Sequence, residues 1–275
     1  MSDAITTKVP EPGEVAKLLR DLARIEVLPR FRQLKSHEIR EKTPGDFVTV
    51  ADEAMEAALA PKLAALLPGS LVVGEEDCAR DPSVMRRLAS DQPVWVIDPV
   101  DGTANFAEGK EEFCSMMALI ERDQVLGGWI YDPVTDTTSY AVKGGGAWSA
   151  GHRLAPSTAP NQYRGVVAVG SKGDLETAKR VQQRRDRVQQ VKSVRCAGLD
   201  YLRLARGELD FVMFSGVMPW DHAPGGALIE ELGGYISYFN TDGYRPSAAE
   251  GATGIMAARD RATWDEVHRR LLGTD

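Results

Sequence analysis

Cysteine is scarce in this chain, and its spacing excludes as much as its number. Three cysteines in 275 residues, Cys78, Cys114 and Cys196, form no close-spaced pair. Neither a disulfide framework nor a cysteine zinc motif is readable from them, and the reduced cytoplasm fits best. The four histidines, at 37, 152, 222 and 268, show no His-Glu-x-x-His or comparable ligand spacing, so zinc is the less natural metal. No apolar run approaches the roughly eighteen residues of a membrane span, and "MSDAITTKVPEPGE" lacks the apolar stretch of a signal peptide. Export and membrane insertion are not expected. Excess positive charge is also lacking: the net charge is -7 and the pI is near 5.3. Binding to nucleic acid relies on clustered Lys and Arg, so a small ligand is the expected partner. Neither Gly-x-x-x-x-Gly-Lys-[Ser/Thr] nor a Gly-x-Gly-x-x-Gly after a strand occurs, which leaves kinase and dehydrogenase readings unsupported.

What is present is ample apolar content, 43%, enough for a sizeable core in one large domain or two intimate halves. Spacings of three and four among Val15, Leu18, Leu19, Leu22, Ile25 and Leu28 predict an amphipathic helix over 13–31. A second helix is expected over about 50–67, kinked or interrupted at Pro61. "SLVVGEED" and "PVWVIDP" read as short buried strands that run into acids. Residues 113–142 are apolar runs broken by Arg-Asp, Gly-Gly and Asp-Pro, the pattern of an antiparallel meander. Gly144 to Gly146 and the polar stretch near "APSTAPNQ" mark a boundary near residue 155. An N-terminal α+β half (1–155) and a C-terminal α/β half (156–275) follow from it. In the second half "GVVAVG", "LETAKRVQQRRDRVQQ", "LDYLRLARG", "LDFVMF", "APGGALIEELGG" and "YISYF" alternate as strand and helix, a layered α/β pattern. The charge run "KRVQQRRDR" reads as a solvated helix face.

The chemistry is carried by carboxylates that follow strands: Glu75, Glu76 and Asp77, then Asp98 and Asp101, then Asp221. Pro99 makes a continuous helix through Asp98 improbable and puts the Asp98/Asp101 pair on a turn. Two like charges there raise each other's pKa, which suggests that a cation sits between them. A bare oxygen cluster suits Mg²⁺, which keeps waters that a phosphate can replace. Gly102 and Thr103 directly behind would open a helix whose unpaired N–H groups favour an anion. Plainer readings exist for each piece alone: turn chemistry for Asp-x-x-Asp, a solvated loop for "GEED", an N-cap for Asp221. Their combination and order favour the site.

Together, "GEED" (74–77), "WVIDPVDGTANF" (95–106) and "PWDHAPGGALIEELGG" (219–234) resemble the inositol monophosphatase family of Mg²⁺-dependent, lithium-sensitive phosphatases. "DFVTVADEAME" (46–56) and "GGGAWSAGHRL" (144–154) extend the resemblance over about 13–270. It implies a layered αβαβα sandwich, a homodimer, and hydrolysis of an inositol-1-phosphate-like polyol or sugar phosphate by a metal-activated water. It further implies that Glu75, Asp98 and the Val100 carbonyl hold the first Mg²⁺. Asp98 would be shared with a second ion completed by Asp101 and Asp221, and a third would lie near Glu75. Asp52, Thr103 and Glu75 would be the catalytic groups, with Thr103 donating to Asp52. Gly102 and Thr103 would bind phosphate and Glu76 would support the ligands.

Two positions depart from the family pattern. Phe214 stands where an acid usually grips inositol hydroxyls, and "RCAG" (195–198) puts Arg195 where a small residue is expected. Arg195 either meets a second substrate anion, with Ser171 and Lys172 lining the same pocket, or pairs with a neighbour such as Asp200. His222 either orients a metal ligand or faces solvent, and the first is preferred. Fructose-1,6-bisphosphatase-like, histidinol-phosphatase and 3′-phosphonucleotide phosphatase activities are the neighbouring alternatives. A noncatalytic metal-dependent binder of phosphorylated ligands is the alternative of another class, and carboxylate-pair glycoside hydrolysis leaves the Gly-Thr unexplained.

Overall fold

A computed structural model describes residues 7–158, 160–170, 174–249 and 251–273. The first helix, α1 (Pro12–Glu26), is capped by the Glu11 carboxylate and buries Val15, Leu19, Leu22 and Ala23. It ends earlier than the periodicity predicts. Pro29 supplies no N–H, and Leu28–Arg30 forms a separate 3₁₀ turn. A hairpin unforeseen from the sequence follows, β1 (Ile39–Thr43) and β2 (Asp46–Thr49). Thr49 and Asp52 cap each other at the start of α2 (Val50–Leu66). This helix runs through Pro61 rather than breaking there. Pro61 and Ala57, whose carbonyl loses its partner, are both exposed, so water can satisfy that oxygen.

Seven strands build the first sheet in chain order: β3 (Leu71–Gly74), β4 (Val94–Asp101), β5 (Cys114–Glu121), β6 (Gln124–Asp132), β7 (Thr137–Val142), β8 (Gly146–Ser149) and β9 (His152–Arg153). Only β3 and β4 are parallel; the rest is the expected antiparallel meander. Short helices α3 (Glu75–Arg80) and α4 (Thr103–Ala107) leave the ends of β3 and β4. Gly127-Gly128, read as a turn, instead lies inside β6. A Cβ at Gly128 would stand 2.4 Å from the Pro224 carbonyl oxygen, so the glycine admits a helix against the sheet.

The second sheet has the order β11-β10-β12-β14-β13. Its strands are β10 (Arg164–Ala168), β11 (Gln189–Val191), β12 (Phe211–Phe214), β13 (Tyr235–Tyr238) and β14 (Ile255–Ala258), with β13 and β14 antiparallel at one end. Helices α5 (Leu175–Gln183), α6 (Ala197–Ala205), α7 (Pro219–Glu231) and α8 (Arg261–Leu271) complete the chain. The long helix expected over "LETAKRVQQRRDRVQQ" stops at Gln183, and its last residues become a 3₁₀ turn and the edge strand β11. Nor is its charge run merely solvated. Arg180 Nη1 donates to the Leu272 carbonyl (3.1 Å), and Arg185 Nη2 to those of Val167 and Val169 (3.2 and 3.0 Å).

Apolar clusters show the layering. One joins α1 and α2 to the first sheet, a second fills the space between the two sheets around α6 and α7, and a third covers the far face of the second sheet under α8. Helix, sheet, helix, sheet, helix is the order that results, an αβαβα sandwich. The middle layer is tight. A Cβ at Gly225 in α7 would fall 2.2 Å from Cγ of Tyr201 in α6. Replacing Gly225 by Ala should therefore lower the unfolding free energy by about 1–3 kcal/mol, the usual range for overpacking. Chemical denaturation tests this, and a loss below about 0.5 kcal/mol would contradict the close α6–α7 contact.

Candidate active site

The acids converge where the first sheet meets the middle layer. Glu75 opens α3 at the end of β3, and its parallel neighbour β4 carries Asp98 and Asp101. Asp98 and Asp101 are not on a free turn as expected. They belong to β4, whose pairing with β5 is irregular between them, so three residues there do not follow the simple alternation of a strand. Asp221 comes from the first turn of α7, behind Pro219 and after Met218, so it is not an N-cap.

These carboxylates are buried or half-buried within reach of one another's charge. Asp98 is 2% exposed and its Oδ1 has no partner. Burial first, then the charges of Glu75, Asp101 and Asp221, lift its pKa well above the ordinary range. Asp221 is raised by burial and by Glu75 and Asp101, against a hydrogen bond with Asp98. Asp101 is raised by burial, opposed by the donors that reach it. An all-oxygen set with a buried orphan acceptor and like charges crowded together fits a hard divalent cation.

Thr103 stands beside them. Its Oγ1 lies 2.8 Å from the Val100 carbonyl and 3.2 Å from Asp52 Oδ1, so the expected link to Asp52 forms. Asp52 Oδ2 accepts from the Thr49 amide and hydroxyl (2.9 and 2.6 Å). Burial outweighs those bonds and pushes Asp52 up to about 8. Gly102, before Thr103, has φ 86°, and a Cβ there would sit 2.7 Å from the Glu112 carbonyl oxygen. No other residue type enters that corner without displacing backbone.

Several supporting residues escaped sequence reasoning. Lys42 on β1 places Nζ 2.7 Å from Glu75 and 3.0 Å from Glu76, and although burial opposes it, both carboxylates raise its pKa. Glu75 is pushed up to about 7 by burial, against the pull of Lys42. Glu56 accepts from the amides of Glu76 and Asp77 (2.9 and 2.8 Å), holding the start of α3, and burial pushes it to about 7. Asp101 Oδ2 accepts from the Gly198 amide (2.6 Å) and from Cys196 Sγ (3.0 Å). The "RCAG" segment thus anchors a carboxylate of the site. A Lys in an unrecognised hairpin and a contact across 97 residues leave no local signal.

The remaining expectations fare differently. Arg195 does not pair with Asp200, whose carboxylate is taken by Arg203 (2.8 Å) and Ser193 (2.7 Å). Its side chain is 56% exposed, and among the described residues its ion-pair partner is Glu108, at 4.0 Å. Asn105 Nδ2 donates to the Val194 carbonyl (2.8 Å) and holds this segment against α4. His222 neither faces solvent nor touches Asp221. Its Nε2 donates to the Gly216 carbonyl (2.9 Å), its Nδ1 accepts from Tyr201 (3.1 Å), and burial lowers it to about 4. Phe214 packs in the core with its ring 5.3 Å from His222 and 5.7 Å from Tyr201, leaving 8% exposed. Ser171 and Lys172 lie outside the described residues.

Residues 13–272 match the model of the Inositol monophosphatase family. The chain is 28% identical over 202 residues to "Fructose-1,6-bisphosphatase/inositol-1-monophosphatase" of Thermotoga maritima, covering 73% of this chain and 75% of that one. It is 31% identical over 211 residues to "Inositol monophosphatase 2" of Solanum lycopersicum (74% and 78%). "Nus factor SuhB" of Escherichia coli is 30% identical over 208 residues (74% and 75%). Among solved structures, the Thermotoga maritima IMPase superposes with a TM-score of 0.76 at 24% identity, covering 94% of this chain and 96% of that one. An IMPase/NADP phosphatase complexed with Mg²⁺ and phosphate reaches 0.76 at 21% identity (95% and 96%). These likenesses show the fold. Among the described residues, no helix is long and apolar enough to cross a membrane.

The raised carboxyls make a pH-dependent prediction for the metal-free protein. Asp52, Glu56 and Glu75 hold protons in the folded state to about 8, 7 and 7, against about 4 when unfolded. The folded state binds more protons between those values, so the stability they contribute is present at the acid end and lost as pH rises through the folded values. Thermal melts in chelator should give a lower Tm at about pH 8 than at about pH 6, and Mg²⁺ should raise Tm more at the higher pH. A metal-free Tm that rises across this interval would refute the burial argument.

Proposed function

The chain belongs to the inositol monophosphatase family, whose members are phosphoric monoester hydrolases, and from that premise we propose that it hydrolyses a small phosphorylated polyol or sugar with Mg²⁺. The observation that carries the reading is Asp98 Oδ1, a buried acceptor without a partner in a cluster of repelling carboxylates beside Gly102-Thr103. Glu75, Asp98, the Val100 carbonyl, Asp101 and Asp221 would hold two or three ions, with Glu76 behind them. When bound, such ions neutralise phosphate oxygens and make water a stronger nucleophile near neutral pH.

The chain's own groups do the rest. The Thr103 hydroxyl has one proton and two acceptors, Val100 O and Asp52 Oδ1. Donating to either leaves its lone pairs free to accept from, and so orient, an attacking water. The first amides of α4, at Gly102-Thr103, lack intrahelical partners and suit phosphate oxygens. The site draws on both halves, 1–155 and 156–275, as one unit through Asp221 and the Asp101–Gly198 bond. By family likeness the reading extends to Li⁺ inhibition and to a homodimeric, cytoplasmic protein.

Substrate choice rests on the rim. Arg195, 56% exposed and 4.0 Å from Glu108, would meet a second anion in this reading, and Phe214 offers no acceptor for inositol hydroxyls. Phosphate release from inositol, fructose, histidinol and nucleotide phosphates, with and without Mg²⁺ and with added Li⁺, tests the class. Mg²⁺-dependent release is expected from one of them, and Asp98→Asn should remove almost all of it. No release from any would favour a noncatalytic or regulatory role, a possibility that the name of the Nus factor relative keeps open. For Arg195→Ala, kcat/KM should fall more on bisphosphorylated than on monophosphorylated sugars. Equal loss on both would remove Arg195 from substrate recognition.

A further inference from the structure

The proposed phosphatase chemistry leaves unused two thiols that stand beside Asp101. Cys114 begins β5 and Cys196 directly precedes α6, 82 residues later, yet their Sγ atoms lie 3.6 Å apart. The cysteines that formed no pair in sequence form one in space. Both sulfurs face the same oxygen, Asp101 Oδ2, at 3.6 Å from Cys114 and 3.0 Å from Cys196. Their residues are 0% and 2% exposed. Among the described residues, these three offer ligating atoms that all lie within 4.8 Å of one another. Met116 adds a third sulfur nearby: a Cβ on Gly198 would meet Met116 Sδ at 2.4 Å and Cys114 Sγ at 2.6 Å.

A disulfide requires sulfurs about 2.05 Å apart, so the pair stands well short of one. Tetrahedral coordination needs something else. With bonds of about 2.3 Å to sulfur and about 2.0–2.2 Å to oxygen, neighbouring sulfurs fall about 3.8 Å apart and sulfur and oxygen about 3.5 Å apart. The observed edges, 3.6, 3.6 and 3.0 Å, approximate one face of that tetrahedron.

We propose that Cys114, Cys196 and Asp101 Oδ2 form a site for a thiophilic divalent cation of the zinc class. Soft sulfur donors favour such an ion over Mg²⁺, which the oxygen cluster selects. Binding makes two metal–sulfur bonds and releases the two thiol protons to solvent, with no change of oxidation state. Asp101 belongs to both groups of ligands. An ion held by Oδ2 competes with the Gly198 amide and draws the carboxylate from the oxygen cluster, so a thiophilic ion at this site opposes Mg²⁺. The sulfur site itself does not depend on the phosphatase reading.

Co²⁺ is a direct probe, because thiolate ligation gives an intense near-ultraviolet charge-transfer absorption that oxygen ligands do not. Reduced full-length protein without Mg²⁺, titrated with Co²⁺, should develop this band, saturating at one thiolate-bound ion per chain; Zn²⁺ should abolish it, and added Mg²⁺ should weaken it. Cys114→Ser and Cys196→Ser should each weaken Co²⁺ binding by at least the roughly tenfold that loss of even an outer-shell partner produces. Cys78→Ser, which alters a thiol outside this group, should leave the band intact. The unmodified protein guards against a variant that fails to fold. No charge-transfer band in it would overturn the proposal, as would a band that survives in the Cys114→Ser/Cys196→Ser double variant or disappears in Cys78→Ser.

Discussion

Like charges cannot be packed into a dry pocket without a counter-charge, and the site is organised around that constraint. Burial raises all four of Glu75, Asp98, Asp101 and Asp221, and the charges of Glu75 and Asp101 raise Asp98 and Asp221 further. The protein supplies donors to two of them. Lys42 meets Glu75, while the Gly198 amide and two thiols meet Asp101. Asp98 is the member with a buried oxygen, Oδ1, that no donor among the described residues reaches. The repulsion is thus left unevenly compensated, and an uncompensated buried charge is costly without a counter-ion.

Holding such a cluster requires backbone precision, and the fold obtains it from close contacts. Asp221 occupies the first turn of α7, where the helix dipole favours a negative charge. That helix reaches its place because Gly128 admits Pro224 on one side and Gly225 admits Tyr201 on the other. Below them, Tyr201 and His222 are tied to each other and to Gly216, which settles the helix start with neutral groups. On the opposite wall, the reciprocal cap of Thr49 and Asp52 fixes the carboxylate that Thr103 reaches. The acids therefore hang from α3, β4 and α7, with Asp98 and Asp101 sharing β4, and none depends on a long loop.

How much of this the sequence discloses depends on range. Strand ends followed by acids, the Asp-Pro-Val-Asp-Gly-Thr run and the helix behind Asp221 are local patterns, and the layered architecture and carboxylate set follow from them. Patterns of wrong apparent meaning mislead: Gly127-Gly128 resembles a turn but accommodates a helix, and Pro61 resembles a break but sits where water can serve the freed carbonyl. The contacts that escape are those between distant segments. Lys42 to Glu75, Glu56 to the start of α3, and Cys114 to Cys196 join residues with nothing in common locally, and His222 is occupied by Gly216 and Tyr201 rather than its neighbour Asp221.

The segment from Val194 to Gly198 joins α4 to the carboxylate cluster. Arg195 holds φ 60°, a left-handed conformation that a long side chain adopts at an expense of order 1–3 kcal/mol. Such a conformation persists only where its surroundings over-determine it. Here they do: Asn105 grips the Val194 carbonyl from α4, and Ser193 Oγ accepts from the Arg195 amide. Cys196 and Gly198 then fasten the other side to Asp101. The same bonds that fix a candidate metal ligand therefore force the residue before them to turn outward. The guanidinium is thus 56% exposed beside a segment whose other side is fastened to the carboxylate cluster, so any change in how Asp101 is held is felt at Arg195.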